Sequence, residues 1–153
     1  MEDIARAFAH NLRLIERQVA GISDEASVGT GGHGINSLNW ILGHIAQSRD
    51  RLLVRLGAAP ELGDGAFARY DMGADAVTEV GPDVLGVEEA LDHLRRQLPR
   101  LQATLDALTA EELAAEVEGS NGDLRYLILR FLMHDSFHTG QTDVLGRIVE
   151  EPT

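Results

Sequence analysis

The sequence contains no cysteine. That excludes a disulfide framework, a protein thiolate nucleophile and a cysteine-type zinc site. It contains no lysine either: all thirteen basic residues are arginine. A lysine Schiff base and a P-loop lysine are thereby excluded. Positive charge is scarce beside negative, and the formal net charge of −12 repels phosphate backbones, so no nucleic-acid partner is expected. No apolar run approaches the roughly 20 residues that span a bilayer, so no membrane partner is expected. The acidic, amphipathic start Met1-Glu2-Asp3-Ile4 does not read as a signal peptide. A soluble cytoplasmic protein is the expectation, with residues 1–153 forming one domain large enough to bury a core.

What is present is mostly helical pattern. From Glu2 to Ala20, Ile4, Phe8, Leu12, Ile15 and Val19 recur at steps of three and four with no glycine or proline between them, which predicts a helix. His10 lies off that stripe and reads as a surface residue. Residues 22–36 read as a loop. Its stretch Gly29-Thr30-Gly31-Gly32-His33-Gly34 is too rich in glycine for a helix and lacks both the G-x-x-x-x-G-K-[ST] and G-x-G-x-x-G patterns of phosphate-cradling loops. A second helix begins at Asn36-Ser37, either of which can cap it, and ends near Leu56-Gly57. Residues 57–86 are a long, glycine-punctuated crossover, read as a lid or pocket wall, in which Phe67 and Tyr70 can pack back on the body. A third helix runs from about Val87 to Leu108 on an unbroken leucine seam, with Pro99 inside it and His93 on its polar side, hence at the surface. A fourth runs from about Gly122 to Val149, with Pro152 just beyond. Four long helices predict an all-α four-helix bundle. The crossover is long enough to return the chain, so helices two and three can run parallel.

The fourth helix carries the chemistry. Within Phe131-Leu132-Met133-His134-Asp135-Ser136-Phe137-His138-Thr139-Gly140-Gln141, two histidines stand four residues apart, one turn apart on one face. Two imidazoles so placed can point at one ion. They fall on the stripe Leu124, Leu127, Phe131, His134, His138, Leu145 and Ile148, which is expected to face the core. Zinc sites that do chemistry take three protein ligands and leave one position open. A third ligand, histidine, aspartate or glutamate, is therefore expected from another helix. His44 is the only other histidine in the middle of a helix beside its buried face, and its depth matches if helices two and four are antiparallel. A ferritin-like di-iron site is excluded, because no histidine has a glutamate three positions before it. His134-Asp135-Ser136-Phe137-His138 differs from the zincin H-E-x-x-H in having aspartate for glutamate, so Asp135 is a candidate general base or partner of a metal ligand, with a structural role as the alternative.

The stretch Asn36-Ser37-Leu38-Asn39-Trp40-Ile41-Leu42-Gly43-His44-Ile45-Ala46, followed by His134-Asp135-Ser136-Phe137-His138-Thr139-Gly140-Gln141, resembles the DinB (damage-inducible) superfamily. The resemblance covers most of the chain. It implies a bundle of up-down-down-up order, commonly dimeric. It also implies a divalent metal, zinc or nickel, held by three histidines that map to His44, His134 and His138. Related isomerases and S-transferases use such a metal to activate a small thiol, so a low-molecular-weight thiol cosubstrate is implied as well. Trp40, one turn from His44, is a candidate site wall. Gln141, one turn past His138, is a candidate hydrogen-bonding partner for a ligand or a metal-bound water.

Two readings of function follow. The first is a metal-dependent enzyme acting on a small molecule, a thiol-dependent S-transferase or isomerase or a hydrolase-like protein. The second is a non-catalytic, metal-stabilised stress-response or binding protein, in which an ion ties two helices together. Both need imidazoles from the second and fourth helices to converge; without that, the histidines are core residues with hydrogen bonds.

Overall fold

The computed structural model describes residues 1–29, 35–61 and 67–150. Six α-helices account for most of them. Helix α1 (Glu2–Gln18) buries Ala5, Phe8, Leu12 and Ile15, with Glu2 and Asp3 in its first turn and Arg17 in its last, the charge order that its dipole favours. Helix α2 (Asp24–Ser27) is a single turn capped by the Ser23 hydroxyl. It interrupts the segment expected to be loop; the glycine-rich residues 30–34 and His33 lie outside the described residues, as does Pro152. Helix α3 (Leu38–Arg55) starts where Ser37 accepts the Trp40 N–H. It is buried on nearly every side from Leu38 to Asp50, which makes it the central helix of the molecule.

The crossover after α3 contains one 3-10 turn, Ala68–Tyr70, and returns Phe67 and Tyr70 to the interior as expected. Helix α4 (Val87–Ala107) follows, and Pro99 lies within it. Helix α5 (Ala110–Ala114) is fixed by reciprocal capping between Thr109 and Glu112. A two-residue hairpin, β1 (Glu116–Val117) with β2 (Gly122–Asp123), leads into α6 (Leu124–Glu150).

Residue pairings give the helix directions. Asn11 meets Asp135 and the Gln18 amide meets Thr142, so α1 and α6 run parallel. Asn39 reaches the Leu85 carbonyl and Ala46 receives Gln97, so α3 and α4 run parallel. His44 meets His138 and Arg55 shares a wall with Leu127 and Arg130, so α3 and α6 are antiparallel. The order is up-down-down-up across α1, α3, α4 and α6. Among the described residues no helix is long and apolar enough to cross a membrane.

The core is divided. One apolar cluster joins Leu12 and Ile15 to Leu38, Ile41, Leu42, Ile45, Leu91, Leu94 and Leu145. The other joins Ala5 and Phe8 to Leu52, Leu53, Leu101, Leu105 and Ile128. Between them, at mid-height, every long helix contributes buried polar groups: Asn11, Gln47 to Asp50, Gln97, and Asp135, His138, Thr139 and Thr142. Such groups are tolerated inside only when hydrogen-bonded. The site lies in this belt.

The belt also changes the reading of α6. The line that is buried runs through Ile128, Asp135, His138, Thr139, Thr142 and Leu145, whereas Ile148, expected inside, is exposed. Aspartate and threonines occupy the inward positions, so hydrophobicity alone points to a stripe rotated from the true one.

Candidate metal centre

His44 sits two turns into α3, His134 and His138 one turn apart in α6. The antiparallel pairing brings the three rings together, with centroids 4.4–5.0 Å apart. The His134 Nε2 is 3.1 Å from the Nε2 of His44 and 3.1 Å from that of His138. One coordinating nitrogen from each ring lies within 4.8 Å of the others. Three nitrogens at about 2.0–2.1 Å from a tetrahedral ion stand about 3.3 Å apart, so the spacing suits a single dication.

The opposite ring edges are held from outside. His44 Nδ1 donates to the Tyr70 carbonyl at 2.8 Å, and His138 Nδ1 donates to Gln141 Oε1 at 2.6 Å. A carbonyl oxygen can only accept, so both Nδ1 atoms carry the proton and both neutral rings turn an Nε2 lone pair inward. His134 Nδ1 is 3.2 Å from the Ser48 hydroxyl. At most one proton on His134 Nε2 can lie between these lone pairs, and it can satisfy only one. The convergence is electron-rich, an arrangement that could hold a cation. Outer carbonyl and hydroxyl partners of this kind fix the tautomer and orientation of metal-binding histidines.

Burial reinforces the neutral state. Desolvation, then the neighbouring charges of His138 and His44, pushes His134 down to about 4. Desolvation lowers His44 against the pull of the Tyr70 carbonyl, and lowers His138 against that of Gln141. Neutral imidazole is the form that binds a metal.

Trp40 stacks on His44 at 4.4 Å with the planes 15° apart and is itself buried, so it clamps the ring. Gln141 accepts the His138 Nδ1 proton through its Oε1. Asp135 is held by α1 and α3. Its Oδ2 accepts Arg49 Nε at 2.7 Å, and its Oδ1 accepts Asn11 Nδ2 at 2.7 Å and Arg49 Nη2 at 3.1 Å. Both partners are buried, and neither carboxylate oxygen bonds a histidine. The expected general base is thus engaged by helices α1 and α3, and the cluster of metal-competent groups leaves it out.

Several participants were not anticipated. Ser48, one turn beyond His44, faces the same way because of the i, i+4 spacing, a signal visible in hindsight. The Tyr70 carbonyl arrives from the crossover, which no periodicity reveals. It comes close because Gly43 leaves room: a Cβ there would lie 2.3 Å from the Tyr70 ring. Asn39 accepts the Tyr70 hydroxyl, and the Leu85 N–H donates to it, fixing that ring from the far side. His93 corrects the expectation of a surface residue. It is 4% exposed, its Nδ1 3.0 Å from Glu61, which the crossover lays over the polar side of α4.

A cavity of about 370 Å³ opens onto His44 and His134. Helix α3 lines it through Ser48, Arg51 and Arg55, and α6 through Leu127, Arg130 and Phe131. Met72 of the crossover and Glu118 to Ser120 of the hairpin complete it.

Fold and site define a class: an up-down-down-up four-helix bundle with three histidines clustered at mid-height beside a cavity. The chain belongs to the DinB superfamily, whose family model matches residues 7–142. In three dimensions it is similar to a conserved protein from Enterococcus faecalis, with a TM-score of 0.78 at 16% identity over 97% of this chain and 95% of that one. At that identity the likeness speaks for the fold. Among curated proteins, none matches the sequence.

Proposed function

We propose that His44, His134 and His138 hold one divalent metal, zinc or nickel, and that the protein is a metal-dependent enzyme. The reaction class is thiol-dependent transfer or isomerisation, or hydrolysis of a small molecule. The observation that carries the proposal is the inward convergence of Nε2 lone pairs enforced by the Tyr70 and Gln141 carbonyls. A bound dication supplies Lewis acidity that makes a thiol or water a nucleophile near neutral pH. The chain itself has no cysteine, so a thiol nucleophile comes from a cosubstrate.

The remaining work falls to this chain's residues. Tyr70, Ser48 and Gln141 hold the rings in register, Trp40 fixes the plane of His44, and Arg49 with Asn11 locks Asp135 and so the pitch of α6 between the two histidines. The cavity favours an enzyme over a closed structural site, because it leads to two of the three imidazoles. The test is metal analysis of untagged protein followed by a thiol-dependence screen. About one metal per chain and turnover lost in His138→Ala are expected. Metal retained without turnover across thiols and electrophiles supports the non-catalytic reading instead.

The proposal includes a homodimer. Tyr126, Leu129, Met133, Phe137, Val144 and Ile148 are exposed and recur at helical spacing on the outer face of α6. A continuous apolar stripe of this kind is rare on a monomer, and one helix face paired with itself satisfies a two-fold axis.

A further inference from the structure

The cavity beside the histidines has a sign opposite to that of the whole chain. The formal net charge is −12, yet the cavity is lined by three arginines and one carboxylate, Glu118. Arg51 is engaged by Asp71, whereas Arg55 and Arg130 have no carboxylate partner among the described residues. Arg130 donates only to the Ser120 carbonyl, at 3.3 Å. Their placement follows from helix geometry. Arg130 precedes His134 by one turn, about 6 Å of rise, and His44, Ser48, Arg51 and Arg55 lie on one face of α3. The guanidinium groups therefore stand along the way out from the triad. Leu127 and Phe131, on either side of Arg130 along α6, form an apolar wall, faced by Met72, which is 88% exposed.

We infer that this cavity admits a small organic carboxylate, its charge at Arg55 and Arg130 and its apolar body on Leu127 and Phe131. The inference deepens the metal-enzyme reading and rests on it for the reacting centre. Arginine presents a planar fork that matches a carboxylate, and a cationic cleft in an acidic protein concentrates anions where they are needed. A volume of about 370 Å³ accommodates a compact ligand. Arg130 stands one helical turn from His134 and Arg55 about three turns from His44, so a ligand anchored there extends its other end toward the triad. The opposing account is that Arg55 merely answers the dipole at the end of α3 and that Arg130 is a solvated surface group. That account predicts no discrimination between an acid and its amide.

The experiment is calorimetric titration with 4-phenylbutanoate and 4-phenylbutanamide, on metal-loaded and chelated full-length protein. The acid is expected to bind at least tenfold more tightly than the amide, and more weakly as salt rises. Arg55→Gln and Arg130→Gln, both at exposed positions, are expected to lower acid affinity five- to tenfold each, leaving amide binding, metal content and melting temperature unchanged. Equal binding of acid and amide, no binding of the acid at millimolar concentration, or an unaltered acid affinity in the double variant overturns the inference. Metal content measured on the same samples separates the two proposals. A metal-free wild type defeats the metal reading while the arginine dependence is still read in the chelated titration. A loaded protein blind to the carboxylate defeats only the anion reading.

Discussion

Arg49 of α3 and Asp135 of α6 form an ion pair, Nε to Oδ2 at 2.7 Å, with side chains 1% and 2% exposed. It stands one residue from His134 and five from His44. Removing one member of such a pair strands a charge in the interior and costs about 3–5 kcal/mol. Asp135→Asn and Arg49→Met are each expected to lower stability by about that amount in urea titrations. The double variant Arg49→Met/Asp135→Leu is expected to recover most of the loss. If Asp135→Asn instead abolished turnover with stability intact, Asp135 would be a base after all.

Gly43 and Tyr70 provide a second test. A methyl group at position 43 collides with the Tyr70 ring, whose backbone carbonyl orients His44. Gly43→Ala raises helix propensity by about 1 kcal/mol. It is nonetheless expected to destabilise the protein by about 1–3 kcal/mol through overpacking and to weaken metal affinity. The pairing Gly43→Ala with Tyr70→Leu relieves the collision and should restore melting temperature.

Metal removal has a thermal signature. An ion held at a thousandfold above its dissociation constant stabilises the native state by about 4 kcal/mol. Chelation is therefore expected to lower the melting temperature of this 153-residue chain by about 10 °C. His134→Ala should melt where the chelated wild type melts and no longer respond to chelator. An identical melting curve before and after chelation speaks against a bound metal.

The pH dependence has a definite sign. The folded protein holds all three imidazoles below their ordinary value of 6.5, His134 at about 4. Above pH 6.5 neither folded nor unfolded chain is protonated at these rings, and their contribution to stability is fully present. As pH falls from 6.5 toward 4 the unfolded chain binds protons first, so metal-free stability is lost across that window. The urea midpoint should decline over it in wild type and decline less in His134→Asn, which lacks the strongest contributor. Parallel declines would show that the histidines are not responsible.

The outer face of α6 predicts assembly. Met133 and Phe137 are 58% and 64% exposed, one turn apart. Met133→Glu with Phe137→Glu is expected to convert a dimer to a monomer in light scattering, with the helical circular dichroism unchanged. A wild type that is monomeric at tens of micromolar removes the homodimer from the proposal.

Much of this was legible along the chain, for physical reasons that differ by element. The α1 and α4 stripes face apolar neighbours for most of their length, so their periodicity reports burial directly. Capping at Ser37 is local chemistry and appears where the residues suggest it. His93 was not legible, because its partner Glu61 lies 32 positions away on an irregular segment. The core line of α6 differs from its hydrophobic stripe because Asp135, Thr139 and Thr142 are inward: Asp135 and Thr142 have partners on other helices, and Thr139 bonds the Asp135 carbonyl within α6.

By itself the sequence determined the long helices, the absence of any protein thiol or lysine amine, and the spacing that puts two histidines on one face. These are properties of neighbours within a few residues, where backbone geometry leaves little choice. Only the tertiary structure decided that His44 completes the cluster, that Asp135 belongs to Arg49, and that Tyr70 and Gly43 set the third imidazole. Those relationships join residues 26 to 94 positions apart, and which distant groups meet is settled by how the whole core packs.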